Sequence, residues 1–75
     1  MTDSNEIEAV KASFRGALST AAALAAWEDR VAALDSRAEI PGEDLDELAR
    51  VTLAHAVSSQ ALRGLVESLR ARRMA

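Results

Sequence analysis

Three side chains with the potential for chemistry lie within about one helical turn of one another: His55, Ser58 and Ser59. His55 is the only histidine in the chain, and serines three and four residues after it can face it on an α-helix. A histidine beside a serine hydroxyl is the beginning of a nucleophile–base pair. A helix face, however, supplies neither a pocket nor an oxyanion hole by itself. The spacing therefore does not predict a catalytic site.

Residue patterns typical of metal and phosphate sites are missing from the sequence. It contains no HExxH or ExxH motif, no EF-hand loop and no cysteine, and its three glycines are isolated at positions 16, 42 and 64. We therefore predict a non-enzymatic protein with no catalytic residues, metal or cofactor. A zinc ion shared between His55 of two chains is a lesser alternative.

The helices that must position these side chains are separated by one strong break, at Pro41 and Gly42. The segments on either side, about 3–40 and 43–74, are rich in Ala, Leu, Glu and Arg, which favour helix. Neither alternates with the period of a β-strand. We predict an all-α antiparallel hairpin forming one small domain over residues 1–75. Its expected elements are a helix at about 4–38, a turn at 40–43 and a helix at about 43–73.

The apolar stripe of the first helix shifts around the helix at its middle. It follows Ile7, Val10, Phe14, Ala17, Ala21 and Leu24, then continues as Trp27, Val31, Leu34 and Ala38. The two successive spacings of three residues, at 21, 24 and 27, resemble a stammer. The sequence therefore favours one continuous helix but leaves open a break near residues 16–20.

The second helix carries an unbroken heptad stripe, made of Leu48, Val51, His55, Ser58, Leu62, Leu65 and Leu69. Because His55 lies on this stripe, we predict that His55, Ser58 and Ser59 form a polar layer at a helix interface, with His55 hydrogen-bonded to Thr52, Ser58, Ser59 or a partner helix. Such a layer typically fixes register or oligomeric state at a cost in stability. Leu53 and Val57 fall off the stripe and predict a second apolar face, available to a partner.

The predicted core is thin for an independent domain. A chain of 75 residues buries only about 60–65% of its unfolded surface, and here one Trp and one Phe are the only aromatic side chains. We expect a cluster near the turn made of Leu24, Trp27, Val31, Leu34, Leu45, Leu48 and Val51. We also expect the hairpin to complete a four-helix bundle, by forming a homodimer or by binding another protein.

Charge is distributed unevenly along the chain. Residues 28–47 carry eight carboxylates against two arginines, and residues 63–75 carry four arginines against one glutamate. The predicted partner-binding residues are Leu53, Val57 and the arginines Arg63, Arg70, Arg72 and Arg73. Trp27 is assigned either to the core or to the partner surface, since Trp is enriched at binding hot spots.

These features predict a protein-interaction module: a helical adaptor, co-chaperone or docking subunit. One alternative is a small nucleic-acid-binding or transcription-regulatory protein that uses the C-terminal arginines, although a net charge of −3 argues against nucleic acid. Another is a helical accessory subunit of an enzyme complex. The polar, acidic start does not resemble a signal peptide and no apolar run is long enough to span a membrane, so we expect a cytoplasmic protein with no membrane contact.

Overall fold

Two long α-helices packed antiparallel make up the hairpin. The computed structural model describes the backbone of residues 3–74 and the side chains of residues 5–74. Helix α1 spans Asp3–Ala32 and helix α2 spans Gly42–Met74, with residues 33–41 connecting them. The hairpin measures 56 × 19 × 18 Å. The prediction of an all-α antiparallel hairpin is confirmed.

Helix α1 ends at Ala32, not near residue 38 as predicted. The Leu34 amide donates to the carbonyl of Val31 at 3.0 Å, which tightens the chain after the last helical turn. Asp35 then accepts hydrogen bonds from the Arg37 amide on its side chain (2.8 Å) and from the Ala38 amide on its backbone (2.9 Å). Such local bonds offer the backbone an alternative to the helix. The predicted boundary was wrong because they outweigh the good helix propensity of this segment.

Helix α2 begins where the connection reaches Pro41. The Pro41 carbonyl accepts hydrogen bonds from the amides of Asp44 and Leu45, both at 3.0 Å. Residue 42, predicted in the turn, belongs to the helix, as does residue 43, at which the predicted helix begins. Glu43 and Asp44 lie in its first turn, where negative charge complements the helix dipole.

Helix α1 is continuous, with no break near residues 16–20, because its inward-facing stripe has no shift. A stripe of shielded side chains follows α1 at regular spacings of four and three: Glu6, Val10, Ser13, Ala17, Thr20, Leu24 and Trp27, with Ala21 and Ala23 beside it also partly shielded. The sequence pattern missed Ser13 and Thr20 because they are polar. In their place it counted Phe14 and Ala21, which come one residue after Ser13 and Thr20. The apparent stammer came from that replacement.

In α2 the predicted stripe from Leu48 to Leu69 is confirmed, since all seven of its members are partly shielded from solvent. The register against α1 follows from three contacts across the hairpin. The Arg30 guanidinium lies 3.9 Å from the Asp44 carboxylate at the turn end. Thr20 meets His55 in the middle, and Glu6 meets Arg72 at the open end, where α1 begins and α2 ends.

This register leaves the middle of the interface small and polar, with larger apolar side chains towards both ends. Near the turn, Leu24, Trp27, Val31 and Leu48 line one open groove, and Leu34 borders Trp27 in a smaller pocket. Leu45, predicted in the same cluster, is 50% exposed and lines neither. Val51 is partly shielded and borders a shallow groove on the opposite side.

The hairpin by itself has very little interior. Among the described side chains only Trp27 is buried, with 7% of its surface exposed. The large apolar side chains that stay exposed are Ile7, Phe14, Leu18, Val31, Leu34, Leu45, Leu53, Val57, Val66 and Met74. Two helices can shield only one face of each other, so most of the apolar surface has no partner within the chain.

The glycines within the helices are not required for helix packing. A Cβ atom added at Gly16 would lie 3.9 Å from the Ser58 hydroxyl, an ordinary contact, and one added at Gly64 would meet nothing within 4 Å. We therefore expect Gly16→Ala and Gly64→Ala each to raise the free energy of unfolding, by about 0.5–1 kcal/mol, through helix propensity. Urea denaturation followed by circular dichroism measures this. A loss of stability in Gly16→Ala would show that the helices approach more closely than the structure has them.

Candidate protein-interaction surface

A hydrogen-bonded layer joins the two helices at the centre of the hairpin. His55 Nδ1 lies 2.9 Å from the Thr20 hydroxyl of α1, and His55 Nε2 lies 3.3 Å from the Ser59 hydroxyl one turn further along α2. Ser58 is partly shielded and faces Gly16. The structure thus places His55 with Ser59 and with Thr20, which the sequence reasoning did not assign to the layer. The spacing of three and four residues from Ala17 through Thr20 to Leu24 could have predicted that Thr20 faces α2.

One tautomer of His55 satisfies every group in this layer. The Thr20 hydroxyl also lies 3.0 Å from the Ala17 carbonyl and 3.2 Å from the Gly16 carbonyl, and it has one proton to donate. If that proton goes to a carbonyl of its own helix, Thr20 accepts from His55 Nδ1–H. Nε2 then accepts from the Ser59 hydroxyl.

This layer is better suited to holding the helices in register than to catalysis. A serine beside Nε2 has the form of a nucleophile and base, but the orienting partner on Nδ1 is a threonine hydroxyl and not a carboxylate. The two larger grooves of the hairpin are lined by other residues. A polar contact between the helices disfavours registers that would leave its groups unpaired.

The broadest exposed apolar surface runs along one side of the hairpin, which we call the apolar flank. Its large side chains are Ile7, Phe14 and Leu18 of α1 and Leu45 and Val66 of α2, all between 44% and 64% exposed. Apart from Leu18, each of these residues comes directly after a residue that faces the other helix, which we call a seam position. In an antiparallel pair, the residues that follow seam positions lie on the same side of the hairpin in both helices. Leu18 extends the surface because it lies one turn after Phe14.

The apolar flank contains two open grooves of similar size, each about 370 Å³. The groove near the turn is lined by Leu24, Trp27, Glu28, Val31, Ala32 and Leu48. The groove near the open end is lined by Glu6, Ile7, Val10, Lys11, Phe14, Leu69 and Arg73. Each therefore has an apolar floor, with an acidic side chain at the turn end and mainly basic ones at the open end.

Leu53 and Val57 form a separate ridge on α2. They are 66% and 61% exposed, so both are accessible to a partner. Leu53 precedes His55 by two residues, which places it on the face of α2 that points away from α1. The ridge is narrow, whereas the apolar flank draws on both helices.

Trp27 lies in the interior near the turn. The Arg30 guanidinium stacks over the indole ring, 3.9 Å from its centroid, and also reaches Asp44. At 7% exposure the indole fits the core interpretation. Trp27 also lines the turn-end groove, and its assignment to the partner surface stays a prediction. Arg30 was not singled out from the sequence, because stacking on Trp27 depends on side-chain placement.

The C-terminal arginines do not form a single patch. Arg72 Nη2 lies 2.7 Å from the Glu6 carboxylate, across the open end, and Arg70 lies 3.9 Å from Glu67 on the same helix. Arg73 lines the open-end groove. Arg63 is exposed and lies one turn after Ser59, on the side of the apolar flank.

No family model, curated protein sequence or solved structure matches this chain. Within residues 3–74, neither helix is long and apolar enough to cross a membrane.

Proposed function

We propose that this chain is a non-enzymatic protein-interaction module that docks through the apolar flank. The observation that carries the proposal is a contrast within residues 5–74, where one side chain is buried and ten large apolar side chains are exposed. Contiguous apolar surface of this kind marks an interaction site in a natural protein. A helix or helix pair laid along the flank would complete a helical bundle.

The role of such a module is that of an adaptor, co-chaperone or docking subunit, or of an accessory subunit within an enzyme complex. The nucleic-acid alternative has less support. Arg72 is paired with Glu6 and Arg70 lies 3.9 Å from Glu67, so carboxylates oppose two of the four arginines. The net charge of −3 also disfavours binding to a phosphate backbone.

A matched pair of substitutions tests where docking occurs. Leu18 on the apolar flank and Leu53 on the ridge are 64% and 66% exposed, so Leu→Glu should cost either helix little by itself. Complexes formed by each tagged variant in its native cells would be isolated and weighed by native mass spectrometry. We expect Leu18→Glu to lose the complex that wild type forms, and Leu53→Glu to keep it.

Circular dichroism confirms that both variants remain helical. Loss of the complex in Leu53→Glu alone would move the docking surface to the ridge. A wild-type chain that stays folded as an 8.0 kDa monomer and associates with nothing would contradict the proposed function.

A further inference from the structure

We propose that the occupant of the apolar flank is a second copy of this chain, running antiparallel to the first so that the turn end of each hairpin covers the open end of the other. This inference rests on the proposed function, because it uses the same surface. It adds the identity and the orientation of the partner. Three independent features of the hairpin support it: its exposed area, its charge and its distribution of large and small side chains.

The exposed area fits a permanent dimer. The hairpin exposes 5963 Å², whereas a folded monomer of 8.0 kDa typically exposes about 4,500 Å². If pairing removed this excess from both copies, the interface would bury about 3,000 Å² in total. That value lies in the range of obligate homodimers, about 2,000–5,000 Å². A second hairpin of equal length has the shape to cover the whole flank.

Charge selects the antiparallel orientation. On the flank, the turn-end groove has Glu28 at its edge, and the open-end groove has Lys11 and Arg73 together with Glu6, whose charge Arg72 neutralises. Lys11 also lies 3.7 Å from Glu8, but both side chains are largely exposed, so this contact is weak. The connection and the start of α2 add further carboxylates at the turn end, and Arg63 and Arg70 add positive charge towards the open end. Two parallel hairpins would bring like charges together. Antiparallel hairpins bring opposite charges together at both ends, which a two-fold axis repeats.

Side-chain size on α1 fits the same arrangement. Two antiparallel copies of α1 can cross on the flank at the point between residues 19 and 20. Phe14 and Leu18 of one copy then lie over Ala25 and Ala21 of the other. These four side chains lie on one side of α1, at alternating spacings of four and three. Large residues therefore meet small ones, as an interdigitating interface requires. The same crossing places Glu28 opposite Lys11 of the second copy.

Orientation is tested with single cysteines, since the chain has none of its own. Glu28→Cys and Lys11→Cys would be purified separately, treated with a short bismaleimide alone and as a mixture, and resolved by denaturing electrophoresis. We expect cross-linked dimer mainly in the mixture, because only there do the two positions face each other. Efficient cross-linking of Glu28→Cys with itself would overturn the antiparallel orientation.

Charge exchange tests the contact itself. We expect Glu28→Lys to raise the dimer dissociation constant roughly tenfold, because it replaces two attractions by two repulsions. Adding Lys11→Glu should restore dimerisation, in sedimentation equilibrium of the purified chains at low salt. No restoration in the double variant would overturn the pairing of these two residues.

The same measurement on purified wild type separates this inference from the proposed function. A dimer at micromolar concentration supports both. A folded monomer when pure, combined with a complex containing another protein when isolated from cells, would overturn the second copy as occupant and leave the docking function standing.

Discussion

Trp27→Ala is expected to lower the free energy of unfolding by about 3–5 kcal/mol, which is the usual cost of truncating a buried aromatic side chain. Trp27 is the one buried side chain among those described, and the Arg30 guanidinium covers its ring. A domain of this size is typically stable by only about 4–11 kcal/mol. The loss is therefore a large share of the total stability, and at the lower end of that range the variant would be unfolded.

Urea denaturation followed by circular dichroism at one fixed protein concentration measures this loss. Leu53→Ala is the control, because Leu53 is 66% exposed and its truncation should change stability by less than about 0.5 kcal/mol. If Trp27→Ala does not fold at all, Trp27→Leu should retain part of the stability. A cost below about 1 kcal/mol for Trp27→Ala would show that the indole is not the packing centre of the hairpin.

The second largest loss of stability is expected in the His55 layer, where Thr20→Val should lower the free energy of unfolding by about 1–2 kcal/mol. Valine has the shape of threonine without its hydroxyl, so the variant leaves His55 Nδ1 without its partner at 2.9 Å in a half-buried position. His55→Leu should preserve or raise stability, because the Thr20 hydroxyl still has the carbonyls of its own helix. Removing both polar groups should be neutral or stabilising.

A double-mutant cycle over Thr20→Val and His55→Leu, measured by urea denaturation at neutral pH, isolates the coupling between the two side chains. Native mass spectrometry of the same variants tests specificity: we expect the all-apolar double variant to form a broader range of assemblies than wild type, since a polar layer favours one register. An unfolded His55→Leu variant, or equal costs for Thr20→Val with and without His55, would contradict this role.

The two ends of the interface mainly stabilise the hairpin, whereas its middle mainly sets the register of the helices. Apolar packing around Trp27 and Leu48 supplies stability near the turn, and the Glu6–Arg72 pair links the helices at the open end. The polar middle contributes less stability but is satisfied only when Thr20 stands beside His55. A hairpin built in this way keeps a defined register while its apolar flank stays exposed for docking.

The sequence determined the helices, the break between them and the inward face of α2. Helix propensity and the spacing of Leu48, Val51, His55 and Leu62 are local properties, and the Pro41-Gly42 pair interrupts them in one place. The presence of His55 on the heptad stripe was likewise visible, and with it the prediction of an interfacial polar residue. These features could be read because they depend on neighbours a few residues away in the chain.

Only the tertiary structure decided which side of α1 faces inward. Thr20 faces α2 although it is polar, since across the interface it pairs with His55, and Ser13 on the same stripe is also partly shielded. A count of apolar residues along one helix cannot register a hydroxyl that is satisfied by the other helix. For the same reason, the stacking of Arg30 on Trp27 and the pairing of Glu6 with Arg72 could not be predicted from the sequence. Each of these contacts joins parts of the chain whose proximity depends on how the hairpin closes.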